Sequence, residues 1–393
     1  MNSTAPSVVA GSVSAGAAAS RAVGLDIYRS LAILCVLFCH LIQTEMAPGV
    51  AQGRWVDCLA VYGVELFFVL SGFLIGSILL RDLEKKGGNR ATLWHFWVRR
   101  WLRTLPNFYC YLALNLLLQR KLLLGALTKL SYFVFLQNFA WPMPPLFVVS
   151  WSLSVEEWFY LLFPLVLFGA AWSFPPSRRA AGLAIATFLG LGLAARLFLL
   201  QGLDPLLGAG RMIVVYRLDA IGLGVLLAWL RRYHLPTWQR LRSAAVAGAG
   251  ALLVVGMVVT ICEFQERRFV AGRDGWSHTI ALLLVDLSCA LLLPWFSALV
   301  RVPRWLAGPA DCISRLSYSL YLSNTTAMIL LGGLRAKIGL GQWPGWLDAL
   351  LVTVATFGLA LLTYHFIEQY FLRLRDQYFG AEPPPRFVPS AKD

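Results

Sequence analysis

The chain has 393 residues, 58% hydrophobic and only 14% charged, which is too apolar for a soluble domain with a solvated surface. Its net charge of +14 sits mostly in short loops between apolar runs, which points to membrane topology and anionic headgroups and argues against nucleic acid as a partner. Apolar runs of about 20 residues, without strand-period alternation, exclude an outer-membrane barrel and predict an all-α, polytopic membrane helix bundle.

Residues 1–20 are small and uncharged and lack the basic start of a secretory signal, so 1–21 is expected to be a disordered tail. Spanning helices are expected near 28–46, 60–80, 104–124, 151–171, 180–200, 211–230, 244–262, 277–298, 317–334 and 346–368, ten in all, forming one membrane domain over 22–375. Residues 376–393 are expected to be a flexible end. The stretch 128–142, TKLSYFVFLQNFAWP, is apolar but short, which favours a re-entrant or interfacial segment. Loop 81–103 carries Arg81, Lys85, Lys86, Arg90, Arg99, Arg100 and Arg103 and is assigned to the cytoplasm. With ten spans, the arginine-bearing loops 172–179, 231–243 and 299–316 and both termini fall on that side too. Seven cysteines at irregular spacing, with no CxxC pair, read as core-filling residues; neither a disulfide framework nor a metal site is expected.

The first span, GLDIYRSLAILCVLFCH (24–40), contains groups that are expensive in hydrocarbon. Arg29 and His40 are three helical turns apart, on one face and separated by roughly 16 Å, and Asp26 lies on that face as well. Singly, Arg29 reads as a residue snorkelling to headgroups and His40 as an interhelical hydrogen-bonder. Their shared face favours a polar line into a cavity, with His40 at mid-depth as a general base for a hydroxyl.

In HFWVRRWLRTLP (95–106), Arg100 and Arg103 face one way on a helix and Arg99 another, and Pro106 is expected to end or kink the segment. The arginine pair is either a topology anchor or a phosphate clamp, since guanidinium forks suit phosphate oxygens. In WSLSVEEWFYLLFP (151–164), Ser152, Glu156 and Tyr160 form one helical stripe, while Ser154 and Glu157 fit a capping box. Glu156 then begins a span from the outside and needs a partner. In RMIVVYRLDAIGLG (211–224), Arg217 and Asp219 are two apart, cannot pair well with each other, and are expected to pair with other helices; Gly222 and Gly224 allow close packing.

Together these stretches resemble the acyltransferase-3 family of integral membrane acyltransferases over roughly residues 22–375. Arg29 and His40 match its arginine, ten residues, histidine motif, and GVELFFVLSGFLIG (63–76) is similar to its second-helix motif, with Glu65 where an aspartate is common. Arg100 and Arg103 match its Arg-x-x-Arg element, and WSLSVEEWFYLLFP its tryptophan-serine-leucine and glutamate motif. SYSLYLSN (317–324) is similar to a late motif, with Asn324 where histidine is frequent, and FIEQYF (366–371) resembles the closing element. Asparagine hydrogen-bonds but cannot titrate.

The resemblance implies transfer of an acyl group, often acetyl, from a cytoplasmic donor such as acetyl-CoA. The acceptor would be a hydroxyl of a surface polysaccharide, lipid-linked sugar or glycosylated metabolite. It further implies residence in a bacterial inner membrane, with acyl-CoA as co-substrate and no tightly bound cofactor. Some members carry an extra soluble domain; none is expected here. On this expectation Arg100 and Arg103 dock the donor phosphates, and Arg29 holds the donor at the cavity mouth. His40 is the base, and Glu156, Ser152 and Tyr160 meet the acceptor from the outer side. Asp26 balances Arg29, and Arg217, Asp219 and Asn324 support. Ser71 is a candidate nucleophile, with packing its favoured role. The competing class is a transporter or flippase for a glycan or lipid precursor, which mid-membrane charges also suit.

Overall fold

The structure, a computed structural model, describes residues 23–45, 55–122, 124–174, 177–199, 209–266, 275–338 and 344–380. A backbone in hydrocarbon must satisfy its own hydrogen bonds, so the apolar runs fold as helices. In chain order these are α1 (Val23–Glu45), α2 (Trp55–Lys86), α3 (Arg90–Leu118), α4 (Ala126–Ser131), α5 (Ser150–Ser173), α6 (Ser177–Leu199), α7 (Leu218–Tyr233), α8 (Leu235–Leu241), α9 (Ala244–Glu266), α10 (Gly275–Ala298), α11 (Arg304–Ile338), α12 (Gly345–Thr363) and α13 (Gln369–Phe379). A π-helical turn, Tyr364–Glu368, joins the last two, and no strand occurs among the described residues. Seven stretches are long and apolar enough to cross a membrane, carried by α1, α2, α5, α6, α9, α10 and the α12–α13 unit. The protein is an all-α, multi-pass membrane bundle.

Three of the ten expected spans are not among those seven. The span expected over 211–230 is corrected: residues 209–212 and 214–216 are 3-10 turns, and α7 begins only at Leu218. Helices α3 and α11 have 29 and 35 residues, ample for a bilayer, but carry polar side chains that satisfy each other inside the bundle. Asn107 donates to Ser319 at 2.9 Å and Asn115 to Thr326 at 2.9 Å. Helix α3 starts on Asn89, whose side chain accepts from the Thr92 amide at 2.8 Å. It runs through Pro106 to Leu118, so the proline does not end it. The expected tail 1–21 lies outside the described residues, and the expected flexible end is helical as far as Phe379.

Helix α2 is the hub, packed on α1, α7 and α10, and it buries side chains from Val56 to Leu83 on every face. Its approach to α7 depends on glycine at two positions. A Cβ on Gly72 would lie 2.0 Å from the Ile221 carbonyl oxygen, and one on Gly224 would lie 2.1 Å from that of Val69. Gly222 is looser, its nearest neighbour being the Leu189 side chain at 3.1 Å. Cys39, Cys58 and Cys289 fill the interior as free thiols, but Cys312 is exposed, which corrects its reading as a packing residue.

The antiparallel register of α3 and α5 positions the site. Thr104 bonds Glu157, Arg100 bonds Tyr160, and Gly88 packs on Phe168. Ser150 therefore starts about two-thirds of the way along α3, and α3 continues for about 12 Å beyond it. Residues 124–149 occupy that level. Their 128–142 portion is no continuous helix: α4 is followed by a 3-10 turn, Tyr132–Val134, and by Phe135 at φ 57°. Protein groups meet several of its polar atoms, as non-helical backbone in a bundle requires, although Gln137 Oε1 and Asn138 Oδ1 are buried without a partner among the described residues. Asn138 donates to the Trp151 carbonyl at 3.1 Å, Gln137 to Ser154 at 2.6 Å, and the amides of Val214 and Val215 donate to the carbonyls of Asn138 and Phe139.

Candidate active site

A cavity of about 320 Å³ opens where α1, α2, α3, α5, α11 and α13 meet. Its charged lining is Arg29, Arg100, Arg103, Arg375 and Glu156, four cations to one anion. Tyr160 organises one wall. Its hydroxyl donates to Glu156 at 2.8 Å, accepts from Arg100 at 2.6 Å, and shares a hydrogen bond with Ser71, another lining residue. The Arg100 guanidinium also lies 4.2 Å above the Tyr160 ring and 3.9 Å from the Glu156 carboxylate. Arg103 differs: it makes no hydrogen bond or ion pair among the described residues, while the charges of Arg100, Arg29 and Arg375 act on it together with the opposite charge of Glu368.

Expected acceptor and donor residues thus share one chamber. Ser152 and Glu156 line the same cavity as Arg100 and Arg103, and Tyr160 touches Arg100; they do not lie at an opposite, outer face. The reason is the register. Glu156 is six residues into a helix that begins mid-bundle, so it sits level with the arginines and not at a membrane surface. The capping-box reading of Glu157 is also corrected. Helix α5 starts at Ser150, and the Glu157 carboxylate accepts from Thr104 at 2.9 Å, while Ser154 donates to the Ser150 carbonyl.

The inner end of the cavity is closed by two hydroxyls. Ser152 and Tyr321 are 2.7 Å apart, and Tyr321 donates to the Val149 carbonyl at 3.0 Å with its ring edge-on to Phe67. One turn further along α11, Asn324 Oδ1 lies 3.2 Å from His40 Nδ1. His40 itself does not line the cavity. Where Asn324 Oδ1 accepts, Nδ1 carries the hydrogen. Arg211 acts electrostatically on both His40 and Tyr321, and is fixed by the Ala60 carbonyl at 3.0 Å and the Trp151 ring at 5.2 Å.

The remaining expected residues are structural in their contacts. Arg217 pairs with Glu65 of α2 and lies 3.9 Å from Asp286 of α10, and Asp219 pairs with Arg196 of α6. Each therefore reaches another helix, as their spacing requires. Asp26 accepts from Ser314 at 2.7 Å. Two contributors went unassigned in the sequence. Arg375 lies beyond any motif, and only its position after FIEQYF marked it. Arg211 sits in the quoted stretch 211–224, but its proximity to His40 depends on a fold between residues far apart in the chain.

Comparison with known proteins agrees with this arrangement. An acyltransferase-domain family profile matches residues 23–365. The chain is 26% identical over 370 residues to the peptidoglycan O-acetyltransferase OatA of Listeria monocytogenes, covering 88% of this chain and 54% of that one. It is 25% identical over 367 residues to the O-acetyltransferase OatA of Staphylococcus aureus, covering 88% and 56%. It is 29% identical over 384 residues to the putative peptidoglycan O-acetyltransferase YrhL of Bacillus subtilis, covering 88% and 54%. The chain thus spans about half the length of these relatives. No solved structure matches. With the profile covering most of the chain, and the arginine, histidine and glutamate motifs gathered around one cavity and its inner end, the chain belongs to the acyltransferase-3 family of membrane proteins.

Proposed function

We propose that this chain transfers an acyl group, acetyl by preference, from cytoplasmic acyl-CoA to a carbohydrate hydroxyl on the far side of a bacterial inner membrane. The observation that carries the reading is the cavity lined by four arginines and one glutamate, where Arg103 makes no direct ion pair among the described residues although the Glu368 carboxylate acts on it. The lining keeps an excess of positive charge, and a donor bearing several phosphates neutralises it. The basic turn that joins α2 to α3, with Lys85, Lys86 and Arg90, supports a cytoplasmic location for this end by the positive-inside rule. Relatives named for peptidoglycan O-acetylation support a cell-wall or other surface glycan as acceptor.

In this mechanism the donor phosphates bind Arg100 and Arg103, with Arg29 at the mouth. The thioester arm passes inward where Ser152 and Tyr321 part. His40 Nε2 takes the proton from the acceptor hydroxyl as its oxygen attacks the thioester carbonyl. The C–S bond breaks, and the thiolate leaves as CoA after taking the proton from the imidazolium. Asn324 keeps the ring in the required tautomer throughout.

The test is mass spectrometry of surface glycans and glycosylated metabolites from cells lacking the gene, complemented by wild type or by His40→Ala. An acyl mass increment restored only by wild type is expected. Full activity of His40→Ala removes the general base. No increment, with unmodified precursor accumulating inside the cell, means that the protein is a carrier.

A further inference from the structure

We propose that the C-terminal amphipathic helix α13 is a wall of the donor site, and that Arg375 is a phosphate-binding residue for the donor. The inference rests on the acyl-CoA reading above. Arg375 lines the cavity although no motif includes it, and its charge acts on Arg103. The helix is held in place from the α3 side. Arg99 donates to the carbonyls of Phe379 and Gly380 at 3.3 and 2.7 Å, satisfying the free end of α13, and the His95 ring packs on Phe379 at 4.7 Å. The two arginines next to each other in RRWLR therefore divide the work: Arg100 faces the cavity, and Arg99 clamps the helix that brings Arg375 to it.

The chemistry favours a separate phosphate for Arg375. Arg100 is engaged by Tyr160 and Glu156 on one wall, whereas Arg375 comes from a different helix and, among the described residues, pairs with its neighbour Asp376 at 2.8 Å. A carboxylate on the adjacent residue orients the guanidinium yet is readily displaced by a phosphate with better geometry. Two clusters of positive charge facing one cavity suit a donor with phosphates at more than one place. A phosphate at Arg375 could also be a lipid headgroup, because α13 exposes Tyr370 and Tyr378 to its surroundings. The two sources share their chemistry and are separated by experiment.

CoA binding is measured by calorimetry on the full chain in phosphatidylcholine nanodiscs, for wild type, Arg375→Ala, Arg375→Lys and Arg373→Ala. Arg373 lies on the same helix, is bonded to Gln369 and does not line the cavity. Arg375→Ala is expected to weaken CoA binding about tenfold, with Arg375→Lys intermediate and Arg373→Ala within about twofold of wild type. CoA binding by Arg375→Ala within twofold of wild type overturns the assignment, as does equal weakening by Arg373→Ala. Repeating the series with phosphatidylglycerol tests the headgroup. Unchanged CoA binding, with thermal stabilisation by that lipid lost in Arg375→Ala, assigns Arg375 to the membrane and not to the donor. Failure of wild type itself to bind CoA overturns the donor reading, an outcome distinct from failure of Arg375 alone. Lysine keeps the charge and the helix, so a misfolded alanine variant does not leave the question open.

Discussion

The cavity at the Arg100 end and the charged cluster between α2, α6, α7 and α10 each gather at least three arginines, but in the cluster every arginine is in an ion pair, whereas Arg103 at the cavity is in none among the described residues. In the cluster, Arg196, Arg211 and Arg217 meet Glu65, Asp219 and Asp286, three cations to three anions, and Arg217 and Glu65 are wholly buried. Matched charges of this kind hold helices in register, because separating them would strand a charge in a medium that cannot solvate it. In the cavity four arginines meet one glutamate. An excess of positive charge along a lining costs stability, and the proposed anionic donor would offset it. The difference separates a structural use of arginine from a binding use within one bundle, and residue type alone cannot make that distinction.

The comparison is broken most directly at the closed cluster. Glu65→Ala leaves Arg217 buried without its main partner and is expected to cost about 3–5 kcal/mol, read as a large drop in thermal unfolding temperature in detergent. A variant as stable as wild type would mean that the cluster does not hold the bundle. At the cavity the expected sign differs. Arg103→Ala removes a guanidinium on which three like charges act against one carboxylate, Glu368, so thermal stability is expected to hold or rise slightly, while CoA binding weakens about tenfold or more. Loss of stability without loss of CoA binding would place Arg103 with the structural arginines. Tyr160→Phe sharpens the contrast with the smallest effect. It deletes the hydroxyl that links Arg100, Glu156 and Ser71, frees Arg100 to move, and is expected to weaken CoA binding by about threefold to tenfold with the fold intact. Tightened binding in that variant would show that Tyr160 withholds Arg100 from the donor.

Much of the bundle was legible because it is local. Apolar runs become helices wherever they are long enough, and the i, i+3 and i, i+4 relations placed Arg100 with Arg103 and Glu156 with Tyr160 correctly. The arithmetic that Arg217 and Asp219 could not pair with each other also holds, since each reaches a different helix. The errors arose where tertiary packing interrupted the helix pattern. Residues 211–217 are apolar enough to continue a span but instead fall in two 3-10 turns, 209–212 and 214–216, tied to segment 128–142 through Val214 and Val215. The capping-box pattern of Ser154 and Glu157 is a real sequence signal, but the helix starts four residues earlier, at Ser150.

The sequence by itself determined that this is a helical membrane protein, which family it resembles, and which side chains share a helical face, since composition and periodicity act within a few turns. Only the tertiary structure decided that Glu156 and Tyr160 stand beside Arg100, that Ser152 meets Tyr321 in the lining while His40 meets Asn324 outside it, and that Arg375 completes the lining. Those relations depend on where α5 begins against α3 and on which helices converge. Contacts between residues scores or hundreds of positions apart decide both, and no local pattern encodes them.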